Sequence, residues 1–148
     1  MKLTAQEEYG LRCLMTVAQQ APDPQGPPVS IKDVARREGL SVDYAGKLMR
    51  VLRQAELISS ARGANGGYRL ARPADEIALR DVLTRLDAPL FGGHHFCQNH
   101  TGQLESCIHD RACSLRGLWS AIDQAVADVL GGMTLADLLI DRPIEEEA

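Results

Sequence analysis

Apolar residues recur at i, i+3, i+4 and i+7 near the start of the chain, where Leu11, Leu14, Met15 and Ala18 mark an amphipathic helix from about Thr4 to Gln20. The stretch Pro22 to Pro28, with four prolines and Gly26, ends that helix and predicts a loop. Ser30 then stands as a cap for a short helix reaching about Glu38, with Asp33 three residues on to favour its start. Gly39 supplies a break, and Ser41 caps a second helix from about Val42 to Ala55. Two short helices joined through Gly39 and Leu40 have helix-turn-helix spacing. Their inward side is expected to be Val34, Ala35, Leu40, Ala45, Leu48 and Leu52, and Tyr44, Lys47 and Arg50 form an outward polar stripe.

Leu57 to Ser60 and Tyr68 to Leu70 read as two short strands. Asn65-Gly66-Gly67 is expected to supply positive φ for the turn between them, with Arg62 and Arg69 on either side. This is a wing, a hairpin whose tip is suited to phosphates or a minor groove. A short helix follows over Ile77 to Leu86, and residues 88–113 show neither the helical nor the strand period. Leu115, Leu118, Trp119, Ile122, Val126, Val129 and Leu130 then mark a long helix ending near Gly131 and Gly132. Thr134 caps a last short helix from Leu135 to Ile140. The fold class is therefore mainly α with a small β-hairpin wing, a winged helix-turn-helix plus a long C-terminal helix. The expected divisions are a DNA-binding unit over 1–86, a cysteine-containing loop over 87–113, and a long helix with a C-terminal arm over 114–148.

Charge bears on what the helix-turn-helix can bind. The 148-residue chain carries a net charge of −4, which alone argues against a nucleic-acid partner. Residues 30–72, however, hold nine Lys/Arg against four Asp/Glu, a net of +5 that leaves −9 on the remainder. A basic reading face on an acidic body fits double-stranded DNA. The N-terminus lacks a basic-then-apolar export pattern, and no apolar run approaches the roughly 20 residues that cross a bilayer. A reducing cytoplasm is the expected compartment, where cysteines favour metal or redox chemistry over structural disulfides.

Three of the four cysteines, Cys97, Cys107 and Cys113, lie in the aperiodic segment. They are read as ligands of a soft metal or an iron–sulfur cluster, with zinc held by three thiolates and a histidine, or three separate free thiols, as the other readings. Cys107 and Cys113 are six positions apart, about 240° around a regular helix, so convergence requires a folded-back loop. Three thiolates leave a two-iron or four-iron cluster one ligand short. His109 lies between two of the cysteines, and His94, His95 and His100 follow as weaker donors. Cys13, among Leu11, Leu14 and Met15, is expected to be a small buried hydrophobe. A thiol enzyme would need an activated cysteine with a dedicated base, and no nucleophile motif surrounds Cys107.

The chain resembles the Rrf family of winged-helix bacterial regulators. The likeness is carried by Met1-Lys2-Leu3-Thr4, by Tyr9-Gly10-Leu11-Arg12, by the wing block Arg62 to Arg72, by Ile77 to Val82, by the three cysteines and by Thr134 to Leu138. The resemblance implies a homodimer whose long helix, here about Ser114 to Leu130, is a dimerisation helix crossing its partner, with Trp119 in the dimer core. It also implies an iron–sulfur cluster (2Fe-2S or 4Fe-4S) on Cys97, Cys107 and Cys113. In some relatives an acidic residue at the position of Glu8 reaches the partner subunit's cluster; the plain alternative is an i, i+4 surface pair of Glu8 with Arg12. The cysteine gaps depart from the common family spacing of five in both, with nine residues before Cys107 and five after it.

The function expected is a cluster-dependent transcription regulator, most simply a repressor, with a zinc-stabilised or cluster-free thiol-based regulator as the alternative. The second helix enters the major groove. Ser41, Tyr44, Lys47 and Arg50 meet phosphates or base edges there, and Arg62, Asn65 and Arg69 serve the wing. Two-fold symmetry predicts an inverted-repeat operator.

Overall fold

A computed structural model describes residues 4–86, 100–109 and 111–140 of the chain. Helix α1 spans Ala5–Gln20 and opens on a capping box, in which Thr4 Oγ1 accepts from the Glu7 amide at 3.3 Å and Glu7 Oε2 accepts from the Thr4 amide at 2.7 Å. Two groups that would otherwise be orphaned at the helix start are satisfied reciprocally. The buried side of α1 is Cys13, Leu14, Val17 and Ala18, while Leu11 and Met15 are half-buried. The stripe is thus rotated from the one read in the sequence, because Cys13 takes the hydrophobic role expected of it.

Helix α2 (Ile31–Glu38) is capped by Ser30 Oγ, which accepts from the Asp33 amide at 3.1 Å. It ends at Gly39, whose φ of 67° lets its amide and that of Leu40 turn back onto Arg36 and Ala35 carbonyls. That left-handed residue sets the angle between α2 and α3 (Val42–Gln54), which is why glycine is needed there. Val34, Ala35, Ala45, Leu48 and Leu52 are buried as expected, Leu40 is half-buried, and Met49 joins them in the core.

Strands β1 (Ile58–Ala61) and β2 (Gly67–Leu70) pair antiparallel, with Ile58 opposite Leu70 and Ser60 opposite Tyr68. The turn differs from expectation. Positive φ occurs at Gly63 (106°), not at Asn65, Gly66 or Gly67. Gly66 and Gly67 are required for close approach instead: a Cβ on Gly66 would lie 2.6 Å from the Ala61 oxygen, and one on Gly67 would lie 2.1 Å from the Val29 oxygen. Val29 runs antiparallel beside Tyr68 and exchanges two backbone hydrogen bonds with it, both 2.8 Å.

A 3-10 turn at Ala74–Glu76 leads into α4 (Leu79–Arg85). Helices α5 (Ser114–Gly131) and α6 (Leu135–Ile140) complete the described elements. Helix α6 returns to the body: Leu135 is fully buried, its amide donates to the Ile77 carbonyl at 2.8 Å, and the Leu79 amide donates to Met133 at 3.0 Å. The described C-terminal residues therefore share the core of the N-terminal unit through Leu135. Helix α5 behaves differently, with no buried residue along its 18 positions. Among the described residues no helix is long and apolar enough to cross a membrane.

Candidate nucleic-acid interface and thiol site

Helix α3 presents its cations along one row. Lys47, Arg50 and Arg53 are exposed, and with Ile31, Val42, Asp43, Gly46 and Tyr68 they line a single groove. Three cations against one carboxylate make that groove electropositive, the condition for meeting a phosphate backbone. Arg53 was not among the expected site residues, although it continues the Lys47–Arg50 row at the same i+3 interval. Ser41 is exposed and caps α3, accepting from the Tyr44 amide at 3.2 Å, which leaves its own O–H free to donate outward.

Tyr44 is turned partly inward. It is half-buried and meets Tyr9 of α1 edge to face, with ring centroids 6.1 Å apart and planes at 82°. The Arg12 guanidinium sits 5.1 Å from the centre of that Tyr9 ring. Arg12 Nε also donates to Glu38 Oε2 at 3.0 Å, and its Nη2 to the Glu38 carbonyl at 3.3 Å. Thr16 Oγ1 donates to the other carboxylate oxygen. The hydrogen bond that Arg12 donates to Glu38 raises the pKa of Arg12 above its ordinary value, partly opposed by burial. Glu38 itself is buried, so the helix-turn-helix is fastened to α1 through an ion pair and an aromatic pair side by side. The alternative surface pair of Glu8 with Arg12 is not formed as an ion pair, since Arg12 turns to Glu38. Glu8 remains exposed one residue before Tyr9.

Arg62 and Asn65 are exposed at the wing tip, as a DNA-contacting role requires. Arg69 has a different environment. It is half-buried, its Nη1 donates to the Gly26 carbonyl at 2.8 Å, and its Nε is shut off from solvent.

Cys107 and Cys113 are half-buried and not in a disulfide, whereas Cys13 lies fully inside the core. Cys107 falls in a stretch without helix or strand, and Cys113 is the residue at which α5 begins. Two accessible thiols outside the hydrophobic core suit a soft metal or cluster in donor type. Cys97, with His94 and His95, lies outside the described residues. Among the described residues no three His, Cys, Asp or Glu side chains are gathered as a metal site, so Glu8 and His109 are not brought together with both Cys107 and Cys113 within one subunit.

Residues 3–141 match the family model "Rrf2: Iron-dependent Transcriptional regulator". The chain is 40% identical over 147 residues to Protein rrf2 of Nitratidesulfovibrio vulgaris, covering 97% of this chain and 91% of that one. It is 32% identical to the HTH-type transcriptional regulator IscR of Aliivibrio salmonicida, over 99% of this chain and 82% of the relative. Among solved structures, that of CymR, the global cysteine regulator of B. subtilis, superposes with a TM-score of 0.74 at 31% identity, covering 97% of this chain and 99% of that one. IscR of T. potens superposes with a TM-score of 0.71, also at 31% identity, over 100% and 93% of the two chains. With its basic recognition helix, its wing and these matches along nearly its whole length, the chain belongs to the Rrf2 family of DNA-binding transcriptional regulators and is not an enzyme.

Proposed function

We propose that the protein is a cytoplasmic, homodimeric repressor whose hold on an inverted-repeat operator depends on an iron–sulfur cluster, of two or four irons, held by Cys97, Cys107 and Cys113. The observation that carries this reading is the junction at Cys113, where an accessible thiol begins a helix with no buried residue. Leu115, Leu118 and Val129 on that helix are 57%, 50% and 65% exposed, which makes its apolar stripe a face for a second copy. Thiol chemistry and subunit pairing would then meet at one end of α5.

Glu8, exposed and not gathered with both Cys107 and Cys113 among the described residues of its own subunit, is assigned as the remaining ligand, given to the partner's site. When bound, the cluster would make the thiol site responsive to iron supply, cellular redox state or nitric oxide. The chain's own residues carry that state toward DNA. Glu8 adjoins Tyr9, Tyr9 meets Tyr44 on α3, and Arg12 ties α1 to the end of α2. Ser41, Tyr44, Lys47 and Arg50 are assigned to phosphates or base edges in the major groove, with Arg62 and Asn65 at the wing. The proposed division of function is DNA reading over 1–86, ligation over 87–113 and dimerisation from 114.

A cluster-free thiol regulator is the second reading, favoured by the likeness to the B. subtilis global cysteine regulator. Anaerobic reconstitution separates the two. Iron and sulfide are counted, the absorption spectrum is recorded, and affinity for a duplex selected by this protein from a random pool is measured before and after cluster removal. A chromophore lost in Cys107→Ala together with a changed affinity is the expected result. Equal affinity with and without iron rejects the switch, and a colourless protein holding stoichiometric zinc favours the zinc-stabilised form.

A further inference from the structure

We propose that Arg69 is a positioning residue for DNA recognition: it staples the Asp23–Gly26 turn to the second wing strand and thereby fixes where the wing tip stands relative to α3. The proposal rests on DNA reading by α3 and the wing, and not on the cluster.

The proline-rich loop is built as a strap along β2. Its end nearest α1 is tied where the Leu70 amide donates to the Ala21 carbonyl at 3.1 Å. Its far end is tied by the two 2.8 Å bonds between Val29 and Tyr68. Between them lies a side-chain tie, Arg69 Nη1 to the Gly26 carbonyl at 2.8 Å. That carbonyl is held in place by a turn, in which Asp23 Oδ1 accepts from the Gln25 amide at 2.8 Å and the Asp23 carbonyl accepts from the Gly26 amide at 3.0 Å. A Cβ on Gly26 would stand 2.8 Å from the Asp23 Cβ, so the turn is too tight there for a side chain. Proline fixes φ at four other places in the loop, which makes the strap stiff before it is tied.

Successive side chains of a strand point to opposite faces. Tyr68 faces the groove that Lys47, Arg50 and Arg53 line, and Arg69 faces the strap. The hairpin is thus gripped between recognition helix and loop, with Arg62 and Asn65 projecting beyond it. The alternative, that Arg69 meets a phosphate itself, needs a guanidinium fork open to solvent. Here Nε is enclosed without a partner and Nη1 is engaged, so the bidentate edge used for phosphates is not offered. A two-stranded hairpin alone is marginal in water, and a wing with one short partner strand depends on such ties to hold an angle.

The test uses the full chain and the selected duplex, with affinity measured over a salt series. Arg69→Met keeps the stem and removes the donor. It is expected to weaken binding about tenfold, the range of one charge-assisted hydrogen bond, with the slope of log affinity against log salt unchanged. Hydroxyl-radical footprints should fade where the wing lies and persist where α3 lies. Arg69→Lys, which retains one donor, should recover most of the affinity. Pro27→Gly loosens the strap from its own side, and should produce the same footprint and add little in the Arg69→Met background. This second route tests the strap even where Arg69→Met folds poorly. A slope reduced by about 0.9 in Arg69→Met would make Arg69 a phosphate contact and overturn the proposal. Unchanged affinity, or fully additive losses with Pro27→Gly, would overturn it equally. Arg62→Gln is the control for the parent reading: it should reduce the slope, and an unchanged Arg62→Gln removes the wing from the interface and the proposal with it.

Discussion

Gly67→Ala tests whether the wing depends on close backbone approach. The added methyl would stand 2.1 Å from the Val29 oxygen, 2.6 Å from its carbonyl carbon and 3.1 Å from the Ser30 nitrogen, against ordinary contact beginning at 3.4 Å. All three neighbours are backbone atoms, so no side chain can swing aside. The strand at Val29 must recede by well over an ångström, and the two 2.8 Å bonds it shares with Tyr68 cannot survive that. Each net hydrogen bond contributes about 0.5–1.5 kcal/mol, which puts the loss at roughly 1–3 kcal/mol. Urea unfolding at fixed protein concentration measures it, and amide exchange at Val29 and Tyr68 locates it. Gly46→Ala is the matched contrast. Gly46 lies inside α3 with nothing within 4 Å of its would-be Cβ, so the substitution should stabilise by about 0.8–1.0 kcal/mol, the helix-propensity difference. Because Gly46 lines the cationic groove, the same change should weaken DNA binding. Wild-type stability in Gly67→Ala, with both amides still protected, would refute the close-approach account.

Arg12→Ala leaves the Glu38 carboxylate, only 2% exposed, without its cation, while Arg12 itself is 41% exposed and partly screened. The expected loss is about 1–2 kcal/mol by urea unfolding, and a loss within error of zero contradicts the clamp. Leu118→Glu places a charge on the uncovered stripe of α5, and sedimentation should then show a monomer with the helix content of the native chain; an unchanged dimer would exclude this face. Asp33 has its pKa lowered by the hydrogen bond from Ser30 and then by Arg36, so the stability it adds is present above its ordinary value of 3.8 and is lost as the pH falls through its lowered value. The stability gap between wild type and Asp33→Asn should close in that acid window, and a gap that persists below it rules out the linkage.

What the sequence disclosed follows the range of the interactions involved. The capping serines at 30 and 41, the break at Gly39 and the buried row through Ala45, Leu48 and Leu52 are set within a turn or two of chain, and each is found in place. The glycines of the wing were legible as a turn but not in their roles. Gly67 is dictated by Val29, nearly forty residues earlier, and no local pattern announces that pairing. Tyr44 is half-buried, not fully outward, for a geometric reason: at about 100° per residue, Tyr44 and Arg50 lie roughly 120° apart, so a stripe containing both must have one edge facing a neighbour. The neighbour is Tyr9. Glu38 gave no signal as a buried residue, because a carboxylate enters the interior only when partners from another helix meet it, and Arg12 and Thr16 are on α1. Of the thiol site, periodicity located the aperiodic stretch and composition its donors, but convergence of those donors is a property of tertiary path.

Most of the stability of a helix in a protein comes from packing an amphipathic face rather than from propensity, and α5 runs for 18 residues. Within its own chain α5 has no fully buried residue: Trp119, Ile122, Val126 and Leu130 are half-buried while Leu115, Leu118 and Val129 stand exposed, although the next helix returns to the core through Leu135. The return anchors the C-terminal end of α5 near α4, and Cys113 marks its other end. In the proposed homodimer a second copy laid along the exposed stripe of Leu115, Leu118 and Val129 would cover it, immediately beside a thiol. A change of bonding at that thiol would, in that arrangement, act on the end of the element proposed to set the distance between two reading heads. This adjacency is why a half-buried cysteine at the start of an uncovered helix says more about regulation than the same residue elsewhere would.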